Sequence, residues 1–382
     1  MNLKATNIVG IDLGNSSFKA VRLQKKGAQY VFVGAALLPT GSTSPTPVVP
    51  TEQSLAAQIK ELASKVKAAG ADVHFVTNSL NSTVRYVELP SIPLDEVRSA
   101  IKLNSATYLR QSFENYIFDV FALDPTVKDA FSVKKQKKEK GAPAPPSGKI
   151  KSMIGGVSSP EITLYFHAAR RAGIKPQSLQ LSPIALMNAF EAAYPDIFKQ
   201  QAVAILELGF LSSTLTILDR GQPLLTRTVP IGGKQISEYI AQISNVDFVK
   251  AEAMKSEENF DLSEAVSRIC VNLTRETLSS ISFFEKNSDQ LISKVYLTGA
   301  SVGSPSVVKA LSEGIGSACE VWNPANGLTM ELPAAQREVF AKNPYMFAAA
   351  LGVARAYIPS IAPQQKAAPK AKEKTSTSPT AS

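Results

Sequence analysis

The sequence predicts an α/β fold made of two similar halves. Residues 8–13 form a strand-like run. Residues 11–14, at its end, read IDLG, in which an acid is followed two positions later by glycine. The same order of residue types, LELG, ends a second strand-like run that begins at residue 202. Each run is followed by a turn with hydroxyl residues and then by two further strand-like runs. A strand–turn–strand unit repeated in this way indicates an internal duplication.

The first strands and the first helix follow from hydrophobic periodicity. Residues 8–13, 18–23 and 30–36 are predicted to form strands, with a Gly-Asn-Ser-Ser turn between the first two. Apolar residues at helical spacing between positions 55 and 66 predict a helix. Residues 1–71 are therefore assigned to the N-terminal part of the first half.

A small α+β domain is predicted to interrupt the first half at residues 72–174. Within it, residues 133–151 contain seven Lys and one Glu and are rich in Pro, Ala and Gly. Because a segment of this composition buries little apolar surface, it is predicted to be a disordered loop. Residues 175–200 are assigned to the first half again.

The second half is assigned to residues 201–361. Its three strands are followed by helices, by a strand that ends at Gly299 and by a small-residue helix at residues 346–356. Residues 362–382 contain four Lys and one Glu among Ala, Pro, Ser and Thr. These residues are predicted to form a disordered tail.

The formal net charge of +9 is accounted for by the basic loop and the tail. Both segments are interpreted as solvated linkers, so no nucleic-acid partner is expected. The sequence contains no run of about 20 apolar residues and no hydrophobic leader before a cleavage site. We therefore expect neither a signal peptide nor insertion into a membrane.

The turn after the first strand has the chemistry of a phosphate site. Glycine and small hydroxyl residues let backbone N–H groups approach a phosphate, and Lys19 adds a positive charge. Asp12, at the end of the strand, can hold a hydrated Mg²⁺. The candidate binding residues in this turn are Asp12, Gly14, Asn15, Ser16, Ser17 and Lys19.

The corresponding turn in the second half offers a second candidate set, namely Glu207, Gly209, Ser213 and Thr214. Two such hairpins on opposite sides of a cleft would clamp a polyphosphate. Asp12 and Glu207 would then contact Mg²⁺ through water. Glu207 is also the candidate catalytic residue.

A third pattern is typical of adenosine binding. The strand at residues 295–298 leads into a small-residue turn, against which a base or ribose can lie because no side chain blocks it. A glycine pair and a helix acid that could accept from ribose hydroxyls precede it. The candidate residues are Gly232, Gly233, Glu252, Lys255, Gly299, Ala300 and Ser304.

The order of these patterns resembles the actin, sugar kinase and chaperone ATPase superfamily. Within it, several segments resemble the PilM family of type IV pilus assembly proteins: GIDLGNSSFKAVRL, YVELPSIPLDEVRSAIKLNSATYL, AGIKPQSLQLSPIALMNAF, LTRTVPIGGKQISEYI and VYLTGASVGSPSVVKAL. The resemblance covers nearly the whole chain except the basic loop and the tail. It implies an actin-like ATPase fold of duplicated ribonuclease-H-like halves with an inserted small α+β domain, a layout that FtsA shares.

The resemblance implies ATP or ADP with Mg²⁺ as the ligand. The second phosphate motif of the family usually begins with Asp, whereas this chain has Glu207, and the paired glycines of the adenosine motif appear as Gly299-Ala300. The additional methylene of Glu207 displaces its carboxylate by about one bond length, enough to misplace a metal or a hydrolytic water. We therefore expect nucleotide binding and at most weak ATPase activity.

Two other classes are alternative interpretations. An FtsA-like cell-division filament protein would carry a C-terminal amphipathic anchor, but residues 362–382 contain no large apolar residue. A sugar-kinase-like phosphotransferase would need a carboxylate beside a sugar pocket, and none is evident. The resemblance to PilM favours a scaffold.

That resemblance also implies a location and partners. The scaffold would be cytoplasmic and peripheral at the inner membrane, held by the N-terminal tail of a PilN-like membrane protein, with pilus assembly ATPases as further partners. An extended peptide would dock on the small domain, at a strand edge with apolar side chains. The candidate partner-binding residues are Val84, Tyr86, Val87, Leu89, Ile101 and Tyr108, of which about half are expected to form the domain's own core.

Overall fold

The computed structural model describes residues 6–40, 50–90, 92–123, 149–255 and 263–358. The strands of these residues are β1 (Asn7–Leu13), β2 (Ser17–Lys26), β3 (Gln29–Pro39), β4 (Asp72–Thr77), β5 (Ser82–Pro90), β6 (Tyr116–Ala122), β7 (Lys149–Ser158), β8 (Pro176–Leu181), β9 (Ala202–Leu208), β10 (Ser213–Asp219), β11 (Gln222–Val229), β12 (Val295–Thr298) and β13 (Cys319–Val321).

The helices of the same residues are α1 (Glu52–Lys65), α2 (Leu94–Leu103), α3 (Ser105–Leu109), α4 (Ser159–Arg171), α5 (Ser182–Ala193), α6 (Pro195–Gln200), α7 (Gly233–Ser244), α8 (Phe248–Met254), α9 (Ser263–Asn287), α10 (Pro305–Ile315), α11 (Ala334–Lys342) and α12 (Ala348–Arg355). None of these helices is long and apolar enough to cross a membrane.

Two five-stranded sheets form the two halves of the molecule. The strand order is β3-β2-β1-β4-β8 in the first sheet and β11-β10-β9-β12-β13 in the second. In both sheets the first three strands are antiparallel and the last two run parallel to the central strand. The central strands β1 and β9 are buried along almost their whole length, which explains their continuous apolar runs. The matching order confirms the predicted duplication.

Helices α5 and α12 cross where the two halves meet. A Cβ atom at Gly352 would lie 1.8 Å from the carbonyl oxygen of Ala185, so only glycine permits this crossing. The buried cluster around the crossing contains Val76 of the first sheet and Ile205 and Tyr296 of the second. The two halves therefore share a core at this point.

A third sheet, of order β5-β7-β6, forms the inserted small domain. All its strands are antiparallel. Helices α2 and α3 cover one face of this sheet, and Leu89, Val97, Ile101, Phe118 and Ile154 form its separate core. The insertion thus has a hydrophobic centre of its own.

The boundaries of this domain differ from the predicted range of 72–174. Strand β4 pairs in parallel with β1 and belongs to the first sheet, and α4 packs on α1 through Ala168 and Ala169. The small domain therefore comprises residues 82–158. Residues 149–151, which the sequence assigned to the basic loop, begin β7 and pair with β5. Residues 133–148 and 362–382 lie outside the described residues.

His74 in β4 packs against Tyr357, which lies near the end of the described residues. Its Nδ1 lies 2.9 Å from Ser178 Oγ, and its ring stacks on Tyr357 with centroids 3.6 Å apart. The Tyr357 hydroxyl donates to the same Ser178 Oγ at 2.8 Å. Burial lowers the pKa of His74 to about 4, and the Asp72 charge opposes this shift. His74 is therefore a neutral packing residue at pH 7.

Candidate functional site

The first loop, residues 12–19, joins β1 to β2 and carries a buried ion pair. Asp12 and Lys19 face each other in the strand register, and Lys19 Nζ lies 3.1 Å from Asp12 Oδ2. Lys19 Nζ also donates to the carbonyl oxygen of Ser17 at 3.1 Å. Burial raises the pKa of Asp12, and the Lys19 charge opposes this rise. The loop thus presents a cation and a carboxylate side by side.

The second loop, residues 207–214, begins with a carboxylate that the first half holds. Ser182, the first residue of α5, donates to Glu207 Oε1 at 2.9 Å and to Oε2 at 2.8 Å. Asn78, in the turn after β4, donates from Nδ2 to Glu207 Oε2 at 3.0 Å. Burial raises the pKa of Glu207 to about 7, while the Ser182 hydrogen bond opposes the rise.

Asn78 links the two loops to each other. Its carbonyl oxygen accepts a hydrogen bond from Asn15 Nδ2 at 3.3 Å, while its side-chain amide reaches Glu207. Asn15 belongs to the first loop and Glu207 to the second. One residue therefore contacts both sides of the space between them.

A cavity of about 40 Å³ lies between the two loops, and we call it the cleft. Of the residues proposed from the sequence, those that line it are Asp12, Gly14, Asn15, Ser16, Lys19, Glu207, Gly209, Gly299 and Ala300. They come from three separate stretches of the chain. The structure thus brings the three sequence patterns together around one cavity.

The third loop, residues 298–304, packs directly against the second. Gly299 has a φ of +95°, and a Cβ atom there would lie 2.4 Å from the carbonyl oxygen of Leu208. Ser301 Oγ donates to the carbonyl oxygen of Gly209 at 3.3 Å, and the amide of Gly233 donates to the same oxygen at 2.9 Å. The positive φ and the close approach to Leu208 therefore require glycine at position 299, at the edge of the cleft.

The other adenosine candidates form a cluster of their own beside α7. Lys255 Nζ donates to Glu252 Oε1 at 2.7 Å and to the carbonyl oxygen of Gly233 at 3.1 Å. Ser237 Oγ donates to the same carboxylate oxygen. Burial lowers the pKa of Lys255, and the Glu252 charge opposes the shift. Glu252, which the sequence assigned to ribose hydroxyls, thus already accepts hydrogen bonds from protein groups. The cleft is not lined by any residue of this cluster, namely Gly232, Gly233, Glu252 and Lys255.

Four of the candidate hydroxyl residues do not line the cleft. Ser213 Oγ donates to the carbonyl oxygen of Ile231 at 2.7 Å, and Thr214 Oγ1 lies 3.2 Å from Thr228 Oγ1. The hydroxyls of β10 therefore bond neighbours within their own half, because β10 lies between two other strands. Ser17 Oγ and Ser304 Oγ are buried without a hydrogen-bond partner among the described residues, and neither residue lines the cleft.

Sequence reasoning missed Asn78 and Ser182. A signal for Asn78 existed, since the polar run Thr77-Asn78-Ser79 follows a strand that lies parallel to β1. Polar groups at the carboxyl ends of adjacent parallel strands meet at one edge of a sheet. Ser182 lies directly before Pro183 at the start of α5, a pattern typical of a helix start, and its hydroxyl bonds Glu207.

The carboxylates of the cleft fit a metal only together with a ligand. Within the described ranges, no group of three or more His, Cys, Asp or Glu side chains could hold a metal ion. Mg²⁺ commonly takes one or two carboxylates and completes its shell with phosphate oxygens and water. Asp12 and Glu207 suit such a shared site and do not suit a site made of protein groups alone.

Three of the six candidate partner-binding residues, Val84, Leu89 and Ile101, are buried, and the other three are half-buried. Leu89 and Ile101 are fully buried in the core of the small domain, and Val87 and Tyr108 pack against it. Val84 is buried in the cluster that the two halves share. The Tyr86 hydroxyl lies 2.8 Å from Thr226 Oγ1 of β11. Alternation along β5 thus directs Val84 and Tyr86 to the cluster that the halves share, and Val87 and Leu89 to the core of the small domain. None of the buried side chains can receive a peptide.

A groove of about 460 Å³ lies where the small domain meets the first half, and we call it the junction groove. It is lined by Glu52, Asn115, Ser159, Pro160, Thr163, Leu164 and His167. A second groove of about 440 Å³, on the small domain, shares Asn115 with it and reaches Phe113 and Leu103. The two grooves therefore lie next to each other at Asn115.

Two halves of equal strand order, loops that face each other across a cleft, and two helices that cross beside it define an actin-like ATPase fold. The family model of the type IV pilus assembly protein PilM matches residues 10–356, and the chain belongs to this family.

Solved structures agree with this fold. A structure described as a "PilM-PilN type IV pilus biogenesis complex" matches with a TM-score of 0.74 at 24% identity, over 92% of this chain and 98% of that chain. A diol dehydratase-reactivating factor in nucleotide-free form matches with a TM-score of 0.53 at 11% identity, over 92% and 99%. At these identities the matches show the fold alone.

Proposed function

We propose that this protein is a nucleotide-binding scaffold of the type IV pilus, or of a related secretion system. Mg²⁺ with ATP or ADP would bind in the cleft, and the N-terminal tail of a PilN-like membrane protein would bind at the small domain. The observation that carries the proposal is the cleft itself, which glycine turns from both halves line together with Lys19. The family to which the chain belongs supports the assignment to pilus assembly.

The nucleotide would be held mainly through its phosphates. Backbone N–H groups of Gly14, Asn15 and Ser16 and the Lys19 ammonium group provide donors on one side, and the turn at Gly209 provides them on the other. Asp12 and Glu207 would hold Mg²⁺ through water, and the metal would neutralise phosphate charge. The actin-like fold supports this placement.

Hydrolysis would be weak at most. A carboxylate that activates water has to reach the attacking water in a reactive position. Hydrogen bonds from Ser182 and Asn78 hold the buried Glu207 carboxylate in one place, so it is not free to move toward such a water. The geometry therefore favours a structural ligand over an efficiently turned-over substrate.

The peptide would dock in the junction groove. Because Leu89 and Ile101 are buried, the dock moves from the predicted side chains to the depression beside them. Leu164 offers an apolar contact, and Glu52 and His167 offer polar ones. The solved structure named as a PilM-PilN complex supports a PilN-like occupant. Such a contact would place the protein at the cytoplasmic face of the inner membrane, peripheral to it, with pilus assembly ATPases as further partners.

Two measurements test the proposal. Mass analysis of small molecules released from denatured, purified protein should find ATP or ADP. A fluorescent peptide copying the partner's tail should bind the intact protein and lose affinity when Thr163→Arg fills the groove. Ser282→Arg, at an exposed position of α9, is the matched control and should bind normally. Equal binding by both variants would place the dock elsewhere, and failure of nucleotide to bind would remove the first part.

A further inference from the structure

Asn78 makes a polar connection across the cleft that the proposed ligand contacts do not explain. Its Nδ2 donates to Glu207 Oε2 at 3.0 Å, and its carbonyl oxygen accepts from Asn15 Nδ2 at 3.3 Å. Glu207 is the last residue but one of β9, the central strand of the second sheet. The hydrogen bond from Asn78 to Glu207, like those from Ser182 of α5, therefore joins the first half of the molecule to the second.

The turn that carries Asn78 is anchored to the first half. Ser79 Oγ donates to Glu161 Oε2 of α4, and the amide of Asn81 donates to Ser79 Oγ at 2.9 Å. Ser82 Oγ donates to the carbonyl oxygen of Ser79 at 2.6 Å. Because these bonds stay within the first half and the small domain, Asn78 would move with them. A separation of the halves would then stretch the bond to Glu207.

Ser182 orients the carboxylate toward Asn78. It is fully buried and donates to both oxygens of Glu207. With the carboxylate fixed in this way, Oε2 is within reach of the Asn78 amide. Glu207 is long enough to make both contacts from the end of β9, whereas an aspartate, one methylene shorter, would not reach both.

The small volume of the cleft determines how the hydrogen bond between Asn78 and Glu207 affects nucleotide entry. A volume of about 40 Å³ accommodates a few water molecules at most, whereas ligand pockets typically measure about 300–1,000 Å³. A nucleotide polyphosphate can therefore enter only when the two loops separate. Separation of the loops requires the hydrogen bond between Asn78 and Glu207 to break.

We propose that Asn78 is an affinity-determining residue of the nucleotide cleft, whose hydrogen bond to Glu207 opposes nucleotide entry. The inference rests on the proposed nucleotide binding. When only a fraction of the molecules is open, the apparent affinity is reduced by that fraction. Asn78 lowers the open fraction, so loss of its side chain raises the affinity.

The experiment compares Asn78→Ala with Asn81→Ala, which truncates an exposed asparagine of the same turn. Hydrogen exchange without nucleotide should be faster at the amides of residues 14–17 and 209–212 in Asn78→Ala alone. Calorimetry should find that Asn78→Ala binds Mg²⁺-ATP about fivefold to tenfold more tightly than the wild type, the change expected when one hydrogen bond of typical net strength is lost. Asn81→Ala should match the wild type in both measurements.

Each outcome decides between the alternatives. Unchanged exchange in Asn78→Ala would overturn the inference, as would faster exchange with weaker binding, because Asn78 would then be a ligand contact. Glu207→Asp keeps the charge but shortens the side chain and also disturbs the contacts with Ser182, so its exchange should be at least as fast as that of Asn78→Ala. If the wild type binds no nucleotide, the proposed function fails, while the exchange data still judge whether Asn78 holds the loops together.

Discussion

The Tyr86 hydroxyl lies 2.8 Å from Thr226 Oγ1, which joins strand β5 of the small domain to strand β11 of the second half. Burial raises the pKa of Tyr86 to about 12, so the hydroxyl stays protonated at neutral pH. Thr226 Oγ1 also lies 3.4 Å from Thr216 Oγ1. The small domain is inserted in the first half of the sequence, and this polar contact attaches it to the second half.

Tyr86→Phe should lower the free energy of unfolding by about 1 kcal/mol, the typical net value of a buried hydrogen bond. Thr226→Val should have a similar effect, and the double variant should lose little more than either single one, because both remove the same contact. Urea denaturation provides the measurement. Tyr108→Phe, in α3 of the same domain, is the control; additive losses in the double variant would show that the two hydroxyls act separately.

The buried pair of Asp12 and Lys19 predicts a coupled loss of stability and binding. Asp12→Asn leaves the Lys19 ammonium group buried without its counter-ion, which should cost about 3 kcal/mol. It should also abolish the Mg²⁺ dependence of nucleotide binding, measured by calorimetry with and without the metal. Glu313→Gln, which breaks the exposed pair with Lys309, should change stability by less than about 1 kcal/mol. Unchanged, metal-dependent affinity in Asp12→Asn would rule out this placement of the metal.

The local elements could be predicted from the sequence, whereas several partnerships between distant residues could not. Strands β1, β2 and β3 were predicted because alternation, apolar runs and a glycine turn are local signals. The parallel pairing of β4 with β1 is not local, so β4 was assigned to the insertion. Short apolar strands look alike whether they join one sheet or another.

The same limit applies to the site. The glycine turns around Gly14 and Gly209 could be predicted because the same pattern of acid, glycine and hydroxyl residues repeats along the chain, and the turn around Gly299 because a short apolar strand leads into small residues. The contact of Ser182 and Asn78 with Glu207 could not, because it depends on how the two halves close on each other. Likewise, nothing in β5 indicated that Tyr86 would meet Thr226, since their contact spans two domains.

The crossing of α5 and α12 predicts a severe effect of a single methyl group. Gly352→Ala would place Cβ 1.8 Å from the carbonyl oxygen of Ala185, so the two helix backbones must move apart. We expect a loss of at least about 3 kcal/mol, at the upper end for overpacking. Gly155→Ala is the matched control, since its added methyl group would meet Leu181 at 3.4 Å, an ordinary contact. Comparable urea midpoints for the two variants would contradict the crossing.

His74 predicts a dependence of stability on pH. Because burial lowers its pKa to about 4 in the folded protein, against about 6.5 in the unfolded chain, the unfolded chain binds more protons between these values. The neutral state of His74 therefore contributes in full to the free energy of unfolding above pH 6.5. As the pH falls toward 4, up to about 3 kcal/mol of this free energy is lost. His74→Phe keeps the stacking on Tyr357 and should remove this part of the slope. His167→Gln, which removes the other histidine, should retain it; equal slopes in wild type and His74→Phe would contradict the buried neutral state.

A pair of deletions separates the basic segment from the strand that follows it. Deletion of residues 133–148 should change stability by less than about 1 kcal/mol, because shortening the connection between β6 and β7 alters its closure entropy only slightly. Deletion of residues 133–151 also removes Lys149, Ile150 and Lys151, which pair with β5 in the small domain. Ile150 is buried, so this longer deletion should cost at least about 3 kcal/mol and lower the melting temperature accordingly. Equal melting temperatures for the two variants would show that the start of β7 contributes nothing to the sheet, and a large loss from the shorter deletion would show that residues 133–148 stabilise the fold.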